Sequence, residues 1–374
     1  MQSKNKKALI AITVIGTIII LLLIMIGFKI VQNRRGVEDA DLWGSFYKYE
    51  KYVSSNEDPK FGYVTVPGYP MYLYSFGIMY HGLYNYTNDR YYYDKFIRCV
   101  DFIAKRRNSD WSWSPYFQGV GFAGDYVSLY NSMFSDIFLK AWKLTNNSQY
   151  LTYAQNTIYG LGGNYDINTD SAPNKFFYNY NFNFYPFCAI AQYSYETQDK
   201  NRVLIDMAKN AYQYAISGYD EKTGKWYYNE EEKNKNFYDG HSAYYQLVEI
   251  KWFLENQEAI KEIFPAEYTE FKKLLPKIIS VVSQYILPSG TFYYSEEASD
   301  YTESVGVTLV AYSLYDKMFS DDHKEIIATA KRTIITRQSP GGAYYKSKDN
   351  QEIELWYTDN IAEGLAKYLR IIVK

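Results

Sequence analysis

One spacing governs what this chain can fold into. Stretches that are apolar or aromatic on nearly every face begin near Tyr69, Asp125, Asn183, Tyr238, Tyr301 and Leu355, at intervals of 56, 58, 55, 63 and 54 residues. Between them run segments with a single apolar stripe at helical spacing. Leu204, Met207, Ala208, Ala211, Tyr212 and Ala215 form one; Phe271, Leu274, Leu275, Ile278, Ile279 and Val282 form another. A helix that is apolar all round is buried on every side, whereas a striped helix keeps one wet face. The alternation therefore predicts an inner and an outer ring of helices. Residues 39–53 are amphipathic and supply a twelfth helix, so the expected fold is an all-α (α/α)6 toroid of about six hairpins, one domain over 39–374. An open solenoid would leave Ile361, Leu365, Leu369 and Ile372 on an unprotected end helix.

Two short motifs mark the period. Thr87-Asn-Asp, Thr145-Asn-Asn and Thr197-Gln-Asp read as tight turns, and Gly224, Gly290 and Gly341 each precede a Tyr-Tyr pair by two residues. The tight turns should close one end of the ring. Longer aromatic and acidic connections should gather at the other end, where the inner helices begin. Long loops on a rigid frame are the usual place for function.

Ahead of the ring, Ala8 to Phe28 is 21 residues without a charge. At about 1.5 Å per residue it reaches roughly 30 Å, the depth of a bilayer's hydrocarbon core. It is longer than a signal-peptide core and lacks a small-residue cleavage site. The reading is a short basic tail (1–7), a single-pass membrane anchor (8–28) and a linker (29–38). The flanking lysines and arginines are nearly balanced; the sequons at Asn85 and Asn146 favour a ring domain outside the cytoplasm.

Composition removes several functions. With 40 basic and 42 acidic residues and no long basic run, no nucleic-acid partner is expected. Three histidines and two scattered cysteines argue against a Cys/His metal site, and no dinucleotide fingerprint is present, so no cofactor is expected. The 44 tyrosines fit stacking on sugars, and equally fit a biased genome.

The loops before the inner helices mix flat aromatics with amides and carboxylates, which suits a sugar's apolar face and hydroxyl rim. Trp113, Tyr116, Gln118 and Asp125 come from the second such loop, and Tyr180 from the third. Tyr238 and His241 stand at the fourth inner-helix start. Asp300, Tyr301 and Glu303, then Glu354, Tyr357 and Asp359, form carboxylate–tyrosine clusters at the fifth and sixth. Paired groups of this kind serve acid–base chemistry on sugars, although Asp and Glu there are also ordinary helix caps.

Residues 68–254 resemble the helical C-terminal domain of the D-glucuronyl C5-epimerase family. The likeness is carried by Gly68-Tyr-Pro through Leu83-Tyr-Asn-Tyr-Thr-Asn-Asp, by Trp113-Ser-Pro-Tyr-Phe-Gln-Gly, and by Tyr219-Asp-Glu-Lys-Thr-Gly-Lys-Trp-Tyr-Tyr followed by Tyr238-Asp-Gly-His and Gln246-Leu. The family's Glu-Tyr-Pro segment is replaced by Phe176-Phe-Tyr-Asn-Tyr, and His241 falls one place out of register. The resemblance implies a uronic-acid polysaccharide or oligosaccharide as partner. It also implies proton exchange at C5 by Tyr227 and Tyr238 on opposite faces of the sugar. Lys225, Lys175 or His241 would neutralise the substrate carboxylate. A hydrolase or uronate lyase on the same toroid, or a glycan-binding scaffold without turnover, are the alternatives.

Overall fold

A computed structural model describes residues 40–57, 70–113, 127–164, 175–176, 179–294, 299–320, 322–353 and 359–373. The expected anchor at 8–28 lies outside them; among the described residues no helix is long and apolar enough to cross a membrane.

The inner ring is α2 (Pro70–Thr87), α4 (Val127–Thr145), α6 (Tyr180–Thr197), α9 (Gly240–Glu255), α12 (Ser304–Phe319) and α14 (Asp359–Val373). Each packs on the next, and α14 packs back on α2, closing the ring. The outer layer is α1 (residues 40–55), α3 (Arg90–Lys105), α5 (Ser148–Gly160), α7 (Arg202–Ser217), α11 (Pro265–Val282) and α13 (Lys324–Thr336). Short helices α8 (Glu230–Lys235) and α10 (Gln257–Ile263) are additions, and α10 accounts for the long interval between the fourth and fifth inner helices. Apart from the helices, Tyr293–Tyr294 (β1) and Ser299–Asp300 (β2) form one antiparallel pair.

The three Thr turns are one device. Thr87 Oγ1 donates to the Leu83 carbonyl at 2.7 Å and accepts from Asp89 N–H at 3.2 Å, while Asn88 is left-handed and Asp89 caps α3. Thr145 with Asn146 and Asn147, and Thr197 with Gln198 and Asp199, repeat the same bonds. The hydroxyl satisfies a last-turn carbonyl; Asp89 and Asn147 then cap α3 and α5, whereas after Thr197 the cap of α7 is Asn201, itself held by Asp199.

The outer-helix ends also repeat. Trp226, fully buried, donates its indole N–H to Ala215 in the last turn of α7 at 2.7 Å. Trp113 does the same for α3, at 2.9 Å from the Ile103 carbonyl. Gly224 takes φ 78° to make the return.

Close approach of the inner helices depends on small residues. A Cβ on Gly364 of α14 would lie 2.5 Å from the Gly306 Cα of α12. One on Gly82 of α2 would lie 2.7 Å from the Ala366 Cβ of α14. Helix α1 completes the outer layer beside α2 and the turn after α13: Trp43 stacks on Tyr86 at 3.8 Å, and Ser45 Oγ meets Tyr344 Oη at 2.8 Å.

Candidate functional site

Helical periodicity defines which side chains face the lumen. On α6, Asn181, Tyr185 and Gln192 share a face, and Gln192 lines the central cavity. On α9, His241, Tyr245, Glu249 and Trp252 share a face, and Trp252 lines the same cavity. On α4 the stripe is Ser128, Ser132, Ser135 and Leu139.

Two polar groupings occupy this lumen. One crosses it near mid-height. Lys251 and Lys367 both donate to Glu363 Oε1 at 2.6 Å, and Lys367 also donates to Glu255 Oε2 at 2.8 Å. Asp136 accepts from Tyr74 and Gln192, each at 2.9 Å, and from Lys140. Burial opposes these charges, but the adjacent ammonium groups win and hold both Glu363 and Asp136 down at about 2. Carboxylates raise Lys367 above its ordinary value. Glu363, Asp136 and Lys367 stay ionised at neutral pH.

The other grouping runs from the start of α6, with Asn179 and Asn181, to Glu249 past the middle of α9. Burial pushes the Glu249 carboxyl well above its ordinary value. Tyr185 is raised by burial and then by Glu249. The same inner helices and α4, with Asn179 just ahead of α6, carry buried polar atoms without a hydrogen-bond partner among the described residues: both amide atoms of Asn181, Gln246 Nε2, Asn179 Oδ1, and the hydroxyls of Ser128 and Ser135. Nearly every buried polar group in a folded protein is satisfied, so such a set is informative.

The residues expected from sequence divide around this grouping. Tyr238 reaches it, donating its hydroxyl to Gln246 Oε1 at 2.6 Å. His241 nests between the rings of Tyr228 and Tyr245 at 5.0 and 4.8 Å, and burial lowers its pKa. The opposed tyrosine pair needs correction. Tyr227 and Tyr238 lie edge to face, with centroids 6.0 Å apart, so no sugar ring fits between them. Tyr227 donates to Asn236 Oδ1 at 2.6 Å. Burial raises both phenols, whereas catalytic exchange would need them lowered. Lys225 stands 5.6 Å from the centroid of the Tyr238 ring, and Lys175 lies 3.8 Å from Glu230.

Others serve the frame. Trp113 is fully buried as a helix-end anchor, with no face left for a sugar. Tyr180 packs over Gly218 and against Tyr214, its pKa pushed up to about 12 by burial. Asp300 is bound by Arg337 at 2.6 Å, Tyr301 is buried near Lys346, and Glu303 occupies the N-cap of α12. Tyr116, Gln118, Asp125, Glu354 and Tyr357 lie outside the described residues, as does the side chain of Asp359.

Sequence reasoning missed Asn181, Tyr185, Gln246, Glu249 and the ion network. A signal existed: Asp136, Glu249, Lys251 and Glu363 are charges inside helices that are otherwise almost wholly buried. A buried charge is far more informative than a buried leucine.

No family model matches the chain, and no curated protein matches its sequence. Solved structures match its shape. Cellobiose 2-epimerase from Bacillus thermoamylovorans superposes with a TM-score of 0.67 at 10% identity, over 90% of this chain and 99% of its own. A glycosyl hydrolase family 88 protein from Bacteroides vulgatus gives 0.64 at 12%, over 89% and 99%. A polysaccharide lyase gives 0.61 at 12%, over 90% and 98%. The fold is thus the (α/α)6 toroid also used by these carbohydrate-modifying enzymes. The likeness does not single out the D-glucuronyl C5-epimerases among them.

Proposed function

We propose that this protein is a carbohydrate-modifying enzyme that takes its substrate at the N-terminal end of the inner helices. The observation that carries the reading is the unpartnered amide and hydroxyl set of Asn181, Gln246, Asn179 and Ser128 on inner helices that also carry Glu249, a carboxyl raised by burial. Amides and hydroxyls without partners suit the hydroxyl rim of a sugar. A carboxyl pushed toward its protonated form by burial can donate where negative charge develops.

For the reaction itself, C5 epimerisation of a uronic acid residue is the finer reading. The His241 imidazole, whose charged form burial disfavours, would take the C5 proton, Glu249 and the Tyr185 hydroxyl would donate to the charge built on the adjacent carboxylate, and a water would return a proton on the other face, its hydroxide then taking the imidazolium proton. Tyr238 then acts as a positioning residue, holding Gln246, instead of as half of a proton-exchanging pair. The polypeptide is further read as anchored through residues 8–28 with its ring outside the cytoplasm. Protease added to sealed vesicles of known sidedness tests that placement.

The enzymatic test uses the full-length chain with uronic-acid polysaccharides in deuterated water. Deuterium at C5, read by NMR, is the expected product, and Glu249→Gln should lower kcat by about 10²–10⁴-fold. Asn181→Ala should chiefly raise KM. Release of reducing ends without exchange would replace the epimerase by a hydrolase. Full activity in Glu249→Gln would remove Glu249 from the chemistry altogether.

A further inference from the structure

The central cavity that Gln192 and Trp252 line extends to the C-terminal ends of the inner helices. It has a volume of about 770 Å³ and is lined by the C-terminal halves of the inner helices and by Trp43 and Phe46 of α1. That volume lies within the roughly 300–1,000 Å³ typical of small-molecule sites. Its floor includes Tyr74, Asp136, Trp252 and Lys367, members and neighbours of the ion network. The activity proposed above is placed at the other end of the same lumen.

Three observations give it chemistry. First, Tyr86 is 49% exposed at the rim, stacked on Trp43 at 3.8 Å, so its outer face is held flat. Second, Glu255 Oε1 is buried in the cavity wall with no hydrogen-bond partner among the described residues, although Oε2 is bound by Lys367. Third, Lys317 and Arg370 are exposed lining residues on neighbouring helices α12 and α14, without an ion-pair partner among the described residues. The other lining cations, Lys140, Lys143 and Lys367, are matched by Asp136, Glu196 and Glu255. One exposed carboxylate, Glu258, stands against the two unmatched cations.

We propose that this cavity binds a small acidic saccharide, a hexuronate or a disaccharide ending in one. The sugar's apolar face rests on Tyr86. Its carboxylate meets the Arg370 fork and the Lys317 ammonium, and a hydroxyl donates to Glu255 Oε1. A guanidinium suits this task because its planar donors match a carboxylate two at a time. The partially exposed aromatic pair offers area without the cost of ordering a loop.

Calorimetry on the full-length chain tests the assignment, with sodium D-glucuronate as probe and D-glucose as its neutral counterpart. Glucuronate should bind at least tenfold more tightly than glucose, and more weakly as salt rises. The double variant Arg370→Gln/Lys317→Gln should lose roughly tenfold or more in glucuronate affinity. Both side chains are exposed, so folding is spared. Tyr86→Ala should weaken both sugars. A glucuronate-terminated disaccharide, if it binds more tightly than the monomer, identifies a chain end as the occupant; equal affinity identifies the free sugar acid. Asp110→Asn, an exposed change away from both sites, should leave glucuronate binding unchanged, and any glucuronate binding at the proposed catalytic site should be seen as a second event that the Arg370/Lys317 double variant retains. The proposal is overturned if glucuronate does not bind, if glucose binds as well, or if the Glu249 and Asn181 variants lose the sugar acid while the cation double variant retains it.

Discussion

Glu249 is a carboxyl on a helix face otherwise made of rings, and burial alone pushes its pKa up. Its folded-state value lies above the unfolded one, so the stability it contributes is complete below the unfolded value of about 4.3 and is lost as pH rises through the folded value. Glu249→Gln carries no charge to bury. It should therefore gain on the wild type as pH is raised from about 5 to about 9, as urea midpoints at the two pH values will show. An equal difference at both would mean that the carboxyl is not buried as a neutral acid. Asp136 and Glu363 have the opposite sign. Their values of about 2 mean stability present above the ordinary carboxylate range and lost as pH falls through about 2. At this scale little of the site was legible. A helix buried all round carries no hydrophobic stripe, so its sequence does not say which residues face the lumen. Tyr238 and His241 were found because they head a helix; Glu249 and Asn181 were missed because the same apolar run hides them.

Between elements, the ring is held by close crossings and by a few buried charges. Gly306 and Gly364 let α12 and α14 touch backbone to backbone. Gly364→Ala places a methyl 2.5 Å from a backbone carbon that cannot rotate away. It should cost about 1–3 kcal/mol or more, read by denaturant titration, while an exposed alanine change on α13 should cost almost nothing. Glu363 joins α9 to α14 through Lys251. Glu363→Gln would leave Lys251 and Lys367 facing each other in the interior, at a cost of about 3–5 kcal/mol. If the variant unfolds like the wild type, the network is not what joins these helices. The elements themselves were largely readable. All six inner helices begin within four residues of the positions expected from the spacing, because total burial and one-sided burial leave different residue patterns. The repeated Thr turns were readable as repeats; the buried helix-end tryptophans were not. That Trp113 belongs to the second repeat, and not to a sugar platform, becomes evident only beside Trp226.

Across the whole molecule, α1 is the piece that turns a row of hairpins into a closed ring. Leu42, Phe46, Tyr49 and Val53 are buried, and Gln338 donates to the Ser45 carbonyl at 2.7 Å. A chain lacking residues 1–56 should expose the matching surface of α2, α3 and the turn after α13. It should bind a hydrophobic dye or associate, whereas removing only residues 1–38 should not have this effect. Equal dye binding by both would show that the ring closes without α1. The direction in which α1 enters carries a geometric consequence. Its first turns, with Trp43, lie at the cavity end of the ring, beside the last turn of α2. Residues 29–39 can extend to roughly 40 Å at most. If residues 8–28 are held in a bilayer, as proposed, that leash would keep the short-turn face nearest the lipid and turn the inner-helix N-termini away from it. A quencher confined to the headgroups should then dim a fluorophore at Asn146 more than one at Lys222, and the acidic-sugar pocket would look toward the membrane while the proposed catalytic mouth looks toward passing polymer.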